Sequence, residues 1–197
     1  MDKTLGALPG ETASGLEDAF IIKVSGAGSV LWSRQFGSSA YDSAFGVALD
    51  SSGSVFVVGT TNGALSGQTS GGALDAFVCK YTPAGALQWL RQFGTASTDR
   101  ANALAIDSTD TLWVVGQTKG TFVGQTASGL DDAYVQKFDV SGTALTAQQF
   151  GTTTIDEATA VAVIASGGAY VVGSTADGLF GQAPVSSYDA FVVRFGP

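Results

Sequence analysis

Residues 44–94 run AFGVALD at 44–50, SSG at 51–53, SVFVVGTT at 54–61, NGALSGQTSGGAL at 62–74 and DAFVCKY at 75–81, then, after Pro83-Ala84-Gly85, ALQWLRQFG at 86–94. Each apolar run is short, rich in β-branched and aromatic residues, and bounded by Gly, Ser, Asp or Pro. That pattern predicts strands. The first two runs read as a hairpin across a short polar connection. Pro83 fixes one dihedral and Gly85 permits a positive one, so a tight turn joins the last two strands. No stretch sustains a helical period, so the chain is expected to be all-β.

The same text returns every 57 residues without insertion or deletion. Asp18-Ala19-Phe20 recurs as Asp75-Ala76-Phe77, Asp132-Ala133-Tyr134 and Asp189-Ala190-Phe191. Gln35-Phe36-Gly37 recurs at 92–94 and 149–151, and VFVVGTT at 55–61 recurs as LWVVGQT at 112–118 and AYVVGST at 169–175. Residues 1–197 therefore form a single repeat array whose units share one continuous core. Residues 20–36 supply two outer strands of a partial unit, 44–93 and 101–150 are full units, and 158–197 gives three strands of another. That predicts 13 strands in the order two, four, four, three.

Two architectures fit a four-stranded unit: a β-propeller blade or one layer of an open β-rich stack. The constant repeat length favours blades, because every blade of a ring subtends the same angle. The small Ala48, Ala105 and Ala162 place their short strands near a crowded axis, and the strands carrying Trp32 and Trp89 at the rim. The expected order from axis to rim is 44–50, 54–60, 76–81 and 86–93. The chain holds about 3.5 blades against the 4–8 of ordinary propellers, so ring closure by oligomerisation is expected, as a homodimer of six blades. A seven-bladed ring would need a contribution from residues 1–8.

The unit resembles the bacterial β-propeller repeat family named for seven-bladed propellers. The matching residues are Asp75, Ala76, Phe77, Lys80, Gly85, Trp89, Gly94, Asp99, Ala105, Asp107, Trp113, Val114, Gly116 and Thr118. The third copy departs at Thr146, where Trp is expected, and at Ile164, where Asp is expected. The resemblance implies a bacterial surface or secreted protein and no agreed catalytic activity.

Composition narrows the function. Net charge is −8 from 17 acidic and nine basic residues, with the basic groups scattered. Nucleic acid and anionic membranes, which require a basic stripe, are not expected as partners. The chain has no histidine and one cysteine, which excludes His-based catalysis, histidine-containing zinc sites and an internal disulfide. The opening MDKTLGALPGE lacks the basic-then-apolar form of a signal segment, and no apolar run approaches the roughly 20 residues of a membrane span.

Seven recurring acids are the candidate site residues: Asp18, Asp75, Asp132 and Asp189 before the third strand, and Asp42, Asp99 and Asp156 before the first. Each can accept backbone N–H groups in a turn, or together they can offer oxygens to calcium. The doublets Glu17-Asp18, Asp131-Asp132 and Asp156-Glu157 make poor catalytic pairs, since neighbours on a strand face opposite ways. No catalytic or cofactor-binding residue is expected, and no enzyme. Gly59, Gly116 and Gly173 read as backbone geometry. Trp32, Trp89 and Trp113 read as packing between units, although exposed aromatics could stack on sugars. Cys79, matched by Ile22, Gln136 and Val193, reads as a buried inert thiol. Lys80 and its equivalents Lys23, Lys137 and Arg194 are expected to pair with the recurring aspartates. The functional expectation is a structural and interaction scaffold with a protein or glycan partner. The alternatives are a lectin-like propeller, or an amplified or trimmed array with no ligand of its own.

Overall fold

The computed structural model describes residues 3–165 and 167–196. The four runs of each unit form adjacent antiparallel strands, so every sheet is a simple meander. The first sheet contains β1 (Lys3–Thr4), β2 (Asp18–Val24) and β3 (Val30–Phe36). The second contains β4 (Asp42–Leu49), β5 (Val55–Thr61), β6 (Asp75–Tyr81) and β7 (Leu87–Phe93). The third contains β8 (Asp99–Ile106), β9 (Leu112–Thr118), β10 (Asp132–Phe138) and β11 (Ala144–Phe150). The fourth contains β12 (Asp156–Val163), β13 (Ala169–Thr175) and β14 (Asp189–Phe195). The described residues thus hold 14 strands, one more than the sequence reading gives. The addition is β1, which pairs Lys3 with Ala19 and Thr4 with Asp18, as Thr60 and Thr61 pair with Ala76 and Asp75.

Strand alternation sends side chains to both faces of each sheet, and three apolar cores fill the spaces between sheets. Val55, Val57, Phe77, Cys79 and Tyr81 point back toward Ile21, Trp32 and Phe36 of the first sheet. Phe56, Val58, Ala76 and Val78 point forward to Leu104, Leu112, Val114 and Phe138 of the third. Trp113, Val115, Ala133 and Val135 continue the pattern onto Ala158, Val171 and Phe191 of the fourth. All seven residues of β5 are buried because a sheet lies against each face. Cys79 is in this core, and burial pushes its thiol pKa well up, which leaves it inert.

A bulge interrupts the first strand of each of the last three sheets, between Ala44 and Gly46, Ala101 and Ala103, and Ala158 and Ala160. There the bulged backbone presses on the second strand. A Cβ at Gly59 would collide with Ser43 O and the Phe77 ring, and one at Gly116 with Arg100 O. These glycines are required by close approach, whereas Gly67, Gly124 and Gly181 carry φ of 72°, 77° and 79° in the connections.

Candidate functional site

The connection between the second and third strands is the longest loop of the unit, and one side chain holds it. Gln92 accepts from Leu65 N at 3.0 Å and donates to Gly63 O at 3.0 Å and Asp75 Oδ2 at 2.6 Å. Gln35 repeats this with Leu8, Gly6 and Asp18, and Gln149 with Phe122, Gly120 and Asp132. The backbone N–H of Gln92 in turn donates to Gln68 Oε1, as that of Gln149 does to Gln125. The recurrence of Gln beside Phe-Gly is visible in the sequence; its role is not, because its partners lie 17 to 29 residues away.

Each of the seven candidate aspartates accepts a backbone N–H from the residue four positions earlier, as in Ser38 to Asp42 at 2.7 Å and Ser128 to Asp132 at 2.8 Å. Six of them meet in three pairs across successive sheets. Bridges between Glu17 and Tyr41, Leu74 and Thr98, and Asp131 and Ile155 join the strand entries, and bring Asp18 to Asp42, Asp75 to Asp99 and Asp132 to Asp156. Gly37 and Gly151 lie against the first and last pairs, where a Cβ would strike both carboxylates. All six side chains are buried, and each keeps one oxygen, Oδ1, without a hydrogen-bond partner. Burial raises the pKa of Asp42 and of Asp99 against the bonds from Ser38 and from Thr95, and the charges of Asp18 and Asp75 add to the rise. Among the described residues no three His, Cys, Asp or Glu side chains gather as a metal-binding group. The two free oxygens of a pair fall short of the roughly six that calcium takes. Asp189 stands apart: among the described residues no glutamine reaches it, and Val185 N and Ser186 Oγ donate to it.

The basic residues take different partners from those expected. Lys80 pairs at 3.1 Å with Asp50, in the turn between β4 and β5, and its ammonium lies 4.8 Å from the centre of Phe56. Burial would raise the Asp50 carboxyl, but bonds from Ser52 and Ser54 and the Lys80 charge outweigh it and bring the pKa to about 2. In the third sheet Lys137 stacks 3.5 Å over Trp113, and the equivalent Asp107 accepts the Trp113 indole N–H. Neither lysine contacts the recurring pairs, because those sit at the opposite ends of the same strands.

At the fourth strands a Trp and an Arg clamp the next sheet. Trp32 Nε1 donates to Pro83 O at 3.1 Å and Arg34 Nε to Gly85 O at 2.5 Å. Trp89 and Arg91 do the same to Val140 and Gly142. Each indole covers the turn glycine so closely that a Cβ there would meet the ring at about 2.8–3.0 Å. The third copy has Thr146 and Gln148 instead, and clefts of about 650 and 600 Å³ border Thr146.

An apolar cleft of about 680 Å³ lies between the first and second sheets, lined by Ile22, Trp32, Phe45, Val47, Leu49 and Val57 among others. It lies where the other sheets carry their first two strands. Val47 and Leu49 are 63% and 61% exposed there, whereas Leu104, at the position of Val47, is 8% exposed under β4.

Residues 31–65 match the family described as β-propeller repeat. The chain is 33% identical over 195 residues to the regulatory protein FlaEY of Caulobacter vibrioides, covering 91% of this chain and 20% of that protein. It is 28% identical over 138 residues to an uncharacterized WD repeat-containing protein, L264, of Acanthamoeba polyphaga mimivirus, covering 61% of this chain and 10% of that protein. The chain thus spans a fifth or less of the length of these curated relatives. A solved structure of a protein of unknown function from Bacteroides caccae aligns with a TM-score of 0.49 at 12% identity, over 84% of this chain and 52% of that one. The matched segment runs from one sheet into the next and its pattern recurs along the chain at a fixed spacing of 57 residues, so the match supports an array of β-propeller repeats.

Proposed function

We propose that this chain is a non-enzymatic interaction scaffold of a bacterial surface or secreted protein, presenting its long connections to a protein partner. One observation carries the reading. Three of the connections are held alike, by the N–H groups of Leu8, Leu65 and Phe122 on a glutamine, and the fourth tucks Leu179 inward, yet the next residues differ: Pro9, Ser66, Val123 and Phe180. All four of those residues are exposed. An invariant frame with variable exposed tips suits recognition, since loops on a rigid scaffold can change without disturbing the core. The recurring Gln, Asp, Trp and Arg side chains are engaged in holding the frame.

Photo-reactive residues at positions 66 and 123 test this. The expected result is a discrete covalent adduct with one protein of the bacterial envelope or medium, competed by unlabelled chain. Saturable binding on a glycan array competed by free sugar would replace the reading with the lectin alternative. Turnover of glycosides or esters by the purified chain would overturn it outright.

A further inference from the structure

The open cleft on the second sheet and the outer face of the fourth are the two halves of an interface that the chain builds in full twice, between the second and third and the third and fourth sheets. On the fourth sheet, Tyr170, Val172 and Val192 are 46%, 36% and 67% exposed. Their equivalents on the second sheet, Phe56, Val58 and Val78, are each 0% exposed, sealed by the third sheet. On the receiving side, Val47 and Leu49 line the open cleft, because the first sheet offers no strand there among the described residues. The edge of β2 beyond Ala19 likewise has no partner strand among them.

We propose that this cleft receives β12 and β13 of a second copy of this chain, and that the exchange is reciprocal, closing a ring of six sheets. Tyr170 and Val172 would then cover Val47 and Val57, as Phe56 and Val58 cover Leu104 and Val114 within the chain. The edge of β2 would pair with the partner's β13 in the register that joins β5 to β6, which displaces the two-residue β1 from Ala19 and Asp18. The exchange is conservative on the other face too: Phe20, Ile22 and Val24 of β2 take the places of Phe191, Val193 and Phe195 of β14. Besides β1, the strand that yields is the partner's β14, since Gln35 ties Asp18 of β2 to its neighbour β3, whereas among the described residues no glutamine ties Asp189. A second copy fits because the face that it offers, on β12 and β13, carries the repeat positions that fill this place at the two internal junctions. A head-to-tail contact that closes by rotation also leaves no apolar face uncovered.

Cross-linking tests the geometry. Inside the chain, an ideal Cβ on Gly46 lies 3.0 Å from Leu104 Cδ2, so positions 58 apart touch across an interface. The pair Ala103→Cys with Val161→Cys, in a Cys79→Val background, should therefore form a disulfide within one chain. The pair Ala160→Cys with Val47→Cys in the same background should form one only between chains. The expected product is a covalent dimer of about twice 19.9 kDa that persists on dilution. Val47→Glu should raise the dimer dissociation constant by roughly a hundredfold, by placing an unpaired charge in the cleft. The thermal unfolding of the isolated monomer should stay unchanged, because Val47 is exposed there. A monomeric mass at every concentration, with the control pair oxidised and the Ala160–Val47 pair reduced, would overturn the proposal.

Discussion

The interface between the second and third sheets and that between the third and fourth are built from the same repeat, yet only the first is locked at its edge. Across the former, Trp89 and Arg91 reach over to Val140 and Gly142, while within its own sheet Trp89 is steadied edge-on against Phe56 at 5.8 Å. Across the latter, Thr146 and Gln148 stand at those positions and clefts open beside Thr146. The apolar middle is present in both, with Trp113 and Val115 as buried as Phe56 and Val58. The repeat therefore separates two tasks. The apolar middle stacks one sheet on the next, and the Trp–Arg pair fixes the outer edge.

Substitutions can break this comparison in graded steps. The largest effect is expected at Gly116→Ala, whose Cβ would run into the Arg100 carbonyl in a sheet covered on both faces. A cost of about 3 kcal/mol is expected from overpacking. Gly173→Ala meets the same obstacle at Glu157, but β12 is uncovered on one face and can shift, so about half that cost is expected. Denaturant titration of both variants measures the difference.

Next is Trp89→Ala, which removes a half-buried ring and its bond to Val140, at about 2–3 kcal/mol. Thr146→Ala, at the same position of the third copy, should change stability by less than about 0.5 kcal/mol. Equal losses in the two variants would show that the clamp contributes nothing.

Lys80→Met should cost about 2 kcal/mol, because it strands Asp50, whose side chain is 4% exposed. Lys137→Met should cost less: Lys137 stacks on Trp113 and leaves Asp107 its indole donor.

The smallest expected effect is with pH. Asp42 and Asp99 are raised above 3.8 in the folded chain, so the folded state holds those protons more tightly than the unfolded one. Stability should rise as pH falls from neutral through their folded values, and level off below 3.8. Asp50, lowered to about 2, works the other way: its contribution is present above 3.8 and is lost as pH falls toward 2. A shallow maximum in acid is expected from thermal melts across pH. A steady decline from pH 7 downward would contradict the raised pair.

Strands, turns and the stacking of units were legible because the repeat places the same residue types at the same offsets. Pro83-Ala84-Gly85 forms the turn its chemistry dictates, and the aromatic positions fill the cores between sheets. The strand β1 was not legible, since two residues carry no periodicity. The Gln35, Gln92 and Gln149 hubs recur plainly, but a hydrogen bond spanning 27 residues leaves no local trace. The partner of Lys80 is hidden in the sequence for a related reason. Sequence proximity suggests Asp75, whereas the hairpin turn of the neighbouring strand delivers Asp50. The pairing of Asp18 with Asp42 depends on how one sheet meets the next, which the spacing of residues within a unit does not encode.

The contrast between covered and uncovered sheets is tested most directly by amide hydrogen exchange resolved strand by strand, at concentrations where the chain is monomeric. Residues of β5, β6, β9 and β10 should be the most protected, because sheets cover both their faces. Those of β13 and β14 should exchange faster, by roughly a hundredfold or more. Uniform protection across all four sheets would contradict that contrast.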